Sequence, residues 1–229
     1  MVSAIFIILQ NLSGIMANEI VQDVYQQRLA HSKVIYITGV DLLIDSGPST
    51  EWDVLEDFIG DMGNVNKFFI SHAHSDHTGN VQKIIDEYAP EVFIPENEPI
   101  EEIELNESSI QRVVDGEELV SGIEVVEVPG HTEGICALHI KEKEILLCSD
   151  ILDGSDRRGL PKGFLLPPPA VYNYDTEKAE KNLGKLLDIS FNTAVVTHGS
   201  NVTNEPQLKL EKYLDFINHY REKLLAENS

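Results

Sequence analysis

The run Ser71-His72-Ala73-His74-Ser75-Asp76-His77-Thr78-Gly79-Asn80 places three histidines and one aspartate within six residues. Imidazole and carboxylate donors without a thiolate in the run suit zinc, iron or manganese. Residues 67–70 (KFFI), just before it, have the apolar character of a short buried strand, and residues 78–88 carry Val81, Ile84 and Ile85 at helical spacing. A loop between strand and helix lets side chains this close in sequence converge on one point, which a regular strand or helix does not. The plain alternative is a polar loop that is rich in histidine; three imidazoles at alternating spacing with a carboxylate outweigh it.

The elements that must position this cluster follow from the pattern around it. Strands are expected at 33–38 and 40–44, closed by a turn at Asp45-Ser46-Gly47-Pro48. Ser49 or Thr50 is placed to cap a helix through about residue 61, with Trp52, Leu55 and Ile59 on one face. Residues 91–128 read as several short strands, with Asp115-Gly116 as a hairpin corner and a strand over 122–128 that stops at Pro129. Strands at 135–140 and 144–148 flank a Lys-Glu-Lys turn. The Pro-rich stretch 153–174 reads as irregular. Asp175 caps a helix through 187, residues 193–197 form a late strand, and a last helix from about 204 carries Leu210, Leu214, Ile217 and Leu224. Strands in the middle with helices in both halves imply sheets covered by helices.

The chain has 229 residues, 42% hydrophobic and 24% charged, with no linker or repeat, and is expected to form one domain over 1–229. Cys136 and Cys148 are too few for a disulfide framework. Each sits in an apolar run, as a buried thiol in a reducing cytoplasm would. A formal net charge of -22, from 39 acidic against 17 basic residues, repels phosphate backbones and disfavours nucleic-acid or anionic-membrane binding. The apolar stretch at 2–9 lacks a basic flank and is short for a membrane span, so it reads as a first strand.

With these residues in view, a resemblance is plain. His72-x-His74-x-Asp76-His77 looks like the signature of the metallo-β-lactamase superfamily, and further motifs follow in the expected order. Asp45-Ser-Gly resembles its early Asp-Ser/Thr-Gly turn. Pro129-Gly-His131-Thr, the strand end Leu147-Cys-Ser-Asp150, and Val196-Thr-His198-Gly resemble the segments that supply the remaining donors. The similarity spans about residues 33–200. It implies an α/β fold, a four-layer αββα sandwich of two mixed sheets flanked by helices with the metal site at one edge. It further implies that His72, His74 and His131 hold one metal, that Asp76, His77 and His198 hold a second, and that Asp150 bridges them. Taken alone, His131 and His198 also read as turn residues and Asp150 as a helix cap. Asp45 is either a plain turn residue or a carboxylate that fixes the ring of a metal-bound histidine. His31, His139 and His219 are isolated and read as structural or exposed.

The expected cofactor is two divalent metal ions, zinc first, with iron or manganese as alternatives. Two ions about 3.5–4 Å apart share a water and lower its pKa towards about 7, giving a hydroxide nucleophile without Ser or Cys. Asp76 is the candidate to orient that nucleophile or protonate the leaving group. The expected reaction is hydrolysis of an ester, thioester, lactone or related small molecule by a cytoplasmic enzyme, with no membrane attachment and a homodimer as the allowed assembly. A phosphodiesterase or RNA-processing nuclease is the alternative hydrolase, and a mononuclear iron persulfide dioxygenase the alternative class. Asp150 in place of a cysteine argues against antibiotic hydrolysis, and His74 in place of a glutamate against the diiron flavoprotein branch. A single helix after His198 leaves little room for a glutathione site. Arg157, Arg158 and Lys162, with Tyr172 or Tyr174, read either as solvated loop charges or as contacts to an anionic substrate.

Overall fold

Strands that are apolar on both faces need cover on both sides. In β3 (Ser32–Ile37), Ile35 and Ile37 turn to one side, Val34 and Tyr36 to the other, and all four are buried. The computed structural model describes residues 18–101, 103, 105 and 110–227; the expected strand at 2–9 and the side chain of Leu224 lie outside the described residues. Its first sheet has seven strands in the order β1 (Asn18–Val21), β2 (Val24–Leu29), β3, β4 (Leu42–Ile44), β5 (Lys67–Phe69), β6 (Glu91–Pro95) and β7 (Ile110–Val113). Neighbours are antiparallel as far as β4 and parallel from β4 onward. Parallel pairs need crossovers. Helix α1 (Trp52–Met62) supplies the first, and α2 (Ser75–Thr78) with α3 (Val81–Tyr88) the second. Leu55, Phe58, Ile59, Val81 and Ile84 then pack on Val34, Tyr36, Leu43 and Phe68 to cover the outer face.

The second sheet runs β14 (Thr193–Val195), β11 (Ile145–Leu147), β10 (Cys136–Ile140), β9 (Ile123–Glu127) and β8 (Glu118–Val120). Its alternation is regular: Cys136, Leu138 and Ile140 meet Ile35, Ile44 and Phe69 of the first sheet in a shared core, while Ala137 and Leu146 face outward. That outer face is covered by Leu183 and Leu186, which follow α4 (Thr176–Asn182), and by Leu210 and Leu214 of α5 (Pro206–Glu227). The layers are therefore helix, sheet, sheet, helix, as the resemblance implied.

Several local expectations are corrected. The β1–β2 hairpin carries Glu19, Gln22, Gln26 and Gln27, so its apolar alternation is diluted and its strands escape the sequence pattern. Asp115-Gly116 does not turn a hairpin; it carries the chain from β7 in one sheet to β8 in the other, and the hairpin corner is at Gly122, φ +79°. The helix expected over 78–88 is broken at Gly79-Asn80, so Asp76 and His77 ride on their own short turn. No side chain caps α1, whereas Asp175 Oδ1 caps α4 by accepting from Lys178 N at 2.9 Å. Residues 153–174 are anchored by the small hairpin β12 (Asp153–Gly154) and β13 (Leu165–Leu166).

Candidate metal centre

Each candidate donor leaves the C-terminal end of a strand. The chain out of β5 reaches His72 and His74 and then winds through α2 with Asp76 and His77. Strand β9 leads to His131, β11 to Asp150 and β14 to His198. Because β9, β11 and β14 run in the same direction, their ends meet at one edge of the second sheet. The end of β5 meets them there, with Cys136 N donating to Ser71 O at 3.3 Å.

All seven predicted residues converge there. Their donor atoms fall into three overlapping groups, each within 4.8 Å: His72, His74 and His131; His72, His77 and Asp150; Asp76, His77 and His198. Asp150 lies between the first and third. Its oxygens stand 3.3 Å from His77 Nε2, 3.2 Å from His198 Nε2 and 3.6 Å from His131 Nε2. Asp76 Oδ2 is 3.3 Å from His198 Nε2 and 3.7 Å from His77 Nε2. His131 Nε2 and His74 Nδ1 face each other at 3.0 Å.

Four of the rings are fixed from behind. His77 Nδ1 donates to Asp45 Oδ2 at 2.8 Å, His198 Nδ1 to the His31 carbonyl at 2.8 Å, and His131 Nδ1 to Asn173 Oδ1 at 3.0 Å. Asp45 accepts the Ser71 hydroxyl at 2.9 Å, so Ser149 must donate to Ser71 at 2.6 Å, and His72 Nδ1 donates to the Ser71 oxygen at 3.1 Å. In every case Nδ1 carries a proton and Nε2 is turned toward the common space. His72 Nε2, His77 Nε2 and His198 Nε2 are buried there without a hydrogen-bond partner. Orphaned, inward-facing imidazole nitrogens around two carboxylates suit divalent cations of the zinc, iron or manganese type.

The charges reinforce this. Burial pushes the His72 pKa well below its ordinary value and that of His131 down to about 4. Burial also works against the charged form of His198, but the Asp150 and Asp76 carboxylates outweigh it and raise its pKa to about 9. The same contest, won by Asp150 and Asp45, lifts His77 well above its ordinary range. For Asp76 burial opposes ionisation, yet His198 and His77 hold it down at about 2.

The backbone carries strain where the donors need it. Asp45 at φ +61° and Ser149 at φ +48° are non-glycine residues in the left-handed region, the latter next to Asp150. Gly199, φ +75°, lets the turn after His198 press onto Gly154, where an added Cβ would stand 2.4 Å from the Gly154 carbonyl oxygen.

Sequence reasoning missed some of the supports. Glu98, 2% exposed, ties two donor loops together: it accepts from Ala73 N at 2.8 Å, Thr132 Oγ1 at 2.6 Å and Gly134 N at 3.1 Å. It sits in the acidic run PENEPIEE, where nothing distinguishes it. Asn173 is equally silent. His31 is not isolated, since its ring Nε2 lies 3.6 Å from Asp76 Oδ2 and its carbonyl holds His198. His139 is structural, bonded to the Ser190 carbonyl, and His219 is exposed on α5. Arg157 reaches the site, 4.0 Å from Asp150, whereas Arg158 turns away to the Pro167 carbonyl.

The family model described as metallo-beta-lactamase superfamily matches residues 29–198, which encloses every candidate donor. The chain belongs to the metallo-β-lactamase superfamily. Members are typically metal-dependent hydrolases, and the solved structures agree on the fold. A metallo-β-lactamase family protein from Thermus thermophilus superposes with a TM-score of 0.67 at 18% identity, over 91% of this chain and 83% of that one. A metallo-β-lactamase from Pontibacter korlensis gives 0.68 at 16% identity, over 89% and 98%. Among curated relatives, an uncharacterized Aquifex aeolicus protein is 28% identical over 156 residues, 56% of this chain and 68% of its own length. A Prochlorococcus marinus hydroxyacylglutathione hydrolase is 34% identical over 112 residues, 45% of this chain. The match spans only 42% of that relative.

Proposed function

We propose that this superfamily member is a binuclear metal-dependent hydrolase of a small ester or thioester. The observation that carries the reading is Asp150, set between two groups of imidazoles, with His72 Nε2, His77 Nε2 and His198 Nε2 buried beside it and making no hydrogen bond. His72, His74 and His131 would hold one ion, Asp76, His77 and His198 the other, with Asp150 shared. Divalent ions bound there would lower the pKa of a water and polarise the substrate carbonyl. Zinc is the first choice for this donor set.

The chain's own groups divide the remaining work. Asp45, Asn173 and the His31 carbonyl hold the rings in the tautomer that presents Nε2. The Asp76 side chain, 21% exposed, is the most open of the carboxylates at the centre. Its carboxylate, held ionised, is placed to accept a hydrogen bond from the attacking water and orient it toward the acyl carbon, whose bond to the leaving thiol or alcohol then breaks as that group takes up the water's proton. The name of the Prochlorococcus relative favours a thioester, and the acidity of the chain favours a small molecule over a nucleic acid.

Elemental analysis of the purified protein, followed by thioester, lactone and phosphodiester panels, tests the reading. Two metals per chain with acyl hydrolysis are expected, and Asp150→Ala is expected to lose both metal and rate. Full metal content and activity in Asp150→Ala and His72→Ala would overturn it. One iron per chain with oxygen uptake would replace it by the mononuclear dioxygenase reading.

A further inference from the structure

A cavity of about 410 Å³ opens beside His198, walled by Arg28, Lys33, Arg157, Lys162 and Asp156. Four cations at one opening are conspicuous on a chain of net charge -22 that holds 17 basic residues in all. They come from two separate places, the β2–β3 hairpin and the segment after β12, so no single basic run creates the patch.

The carboxylates nearby are already engaged. Asp156 accepts from Ser200 N at 2.7 Å and Ser200 Oγ at 2.8 Å, and Asp153 accepts from Arg157 Nη1 at 2.7 Å. Four cations face these two carboxylates; Asp150, 4.0 Å from Arg157, and Asp76, 3.6 Å from His31, also stand near but belong to the candidate metal centre. Two of the cations are held in place by single bonds that leave them donors to spare: Lys33 Nζ donates to the Gly199 carbonyl at 2.6 Å and Arg28 Nε to the Ala30 carbonyl at 3.0 Å. An ammonium carries three donors and a guanidinium five.

The opposite flank of the metal centre is different in kind. There a second cavity of about 510 Å³ is lined by His74, His131, Glu133, Val171, Tyr172 and Tyr174, with no lysine or arginine. The two cavities share a wall, because the Arg157 guanidinium lies over the Tyr172 ring at 5.5 Å. A substrate lying across the centre therefore meets cations on the His198 side and aromatic, apolar and acidic surface, with Glu98, Glu101 and Glu133, on the His131 side.

We infer that the cavity walled by Arg28, Lys33, Arg157 and Lys162 seats a phosphate-sized dianion of the substrate, a recognition group separate from the bond that is cleaved. This rests on the hydrolase reading for its place in a reaction, but the binding itself does not. The substrate class is then an acyl ester or thioester whose alcohol or thiol portion carries a phosphate.

Two measurements on the zinc-loaded protein test it. The first is the ratio of kcat/KM for a phosphorylated thioester to that for its neutral counterpart. Wild type is expected to favour the phosphorylated substrate at least about tenfold, with Arg28→Gln/Lys162→Gln bringing the ratio towards one. The second is calorimetric titration with inorganic phosphate, which is expected to bind about tenfold more weakly to the same double variant. Lys162→Gln alone, on an exposed side chain, should give an intermediate loss in both. A ratio unchanged by the substitutions, or phosphate affinity equal in wild type and variant, would overturn the assignment, the latter tracing phosphate binding to the metals. Absence of any ester or thioester turnover with the phosphate titration behaving as expected would instead sink the hydrolase reading and leave the anion seat standing.

Discussion

Asp45 Oδ2 accepts the Nδ1 proton of His77 at 2.8 Å while its Oδ1 accepts the backbone N–H of Ser71 at 2.8 Å. One carboxylate thus sets both the ring of one candidate donor and the start of the loop that carries two others. An amide in its place has a single acceptor oxygen and cannot serve both. Since Asn tolerates φ +61° well, Asp45→Asn tests the hydrogen bonds and not the turn. Metal affinity is expected to fall by about 10–100-fold, read by competition with a chromogenic chelator. An unchanged affinity would mean that His77 is oriented by packing alone.

Glu98 joins the loop of His72 and His74 to the loop of His131 through three accepted hydrogen bonds. Glu98→Ala strands two backbone N–H groups and a hydroxyl in a buried place. The cost is expected to be about 3 kcal/mol in unfolding free energy, with a loss of rate beyond the loss of stability. Denaturant melts of the metal-loaded variant check the first part, and turnover well below the midpoint checks the second.

Metal uptake should expel protons. His77 and His198 are held above the neutral range by Asp150, Asp45 and Asp76, whereas His72 and His131 are neutral at pH 7. About two protons per chain are therefore released at pH 7, measurable by calorimetry in buffers of different ionisation enthalpy. The sign for stability follows from the raised pKa values. In the metal-free chain the charged rings stabilise the fold fully below pH 6.5 and lose that contribution as pH rises through about 9 at His198. Metal affinity moves the other way and rises over the same interval.

The two thiols should be silent. Cys136 faces the core between the sheets and Cys148 the core beneath α5, and burial raises the pKa of both. A thiol reagent is expected to label neither in the native protein and both after denaturation. Rapid labelling of either in the folded state would show that the sandwich opens locally.

The fold is legible in the sequence where periodicity is strong. Both faces of β3, β10 and β11 are apolar, and the expected bounds of those strands lie within two residues of the observed ones. It is illegible where the edge of a sheet is polar, as in β1–β2, because a strand paired on one side and wetted on the other carries few apolar residues. The cluster at 72–77 stands out by its residue types and spacing, whereas His131, Asp150 and His198 can be named only through the motifs they share with the family. Glu98, Asn173 and the His31 carbonyl cannot be, since they act through positions created only by folding: Glu98 and Thr132 are 34 residues apart, and His31 and His198 are 167 apart.

The candidate donors are divided between the two halves of the sandwich, with His72, His74, Asp76 and His77 following β5 and His131, Asp150 and His198 following strands of the other sheet. Ions held among them would rivet one half of the molecule to the other. The spacing between those ions would then be set by how the shared interior, filled by Ile35, Ile44, Phe69 and Leu138, fixes the offset of one slab against its neighbour. Enlarging or trimming a side chain there would retune the chemistry from a distance, without altering any atom that touches it.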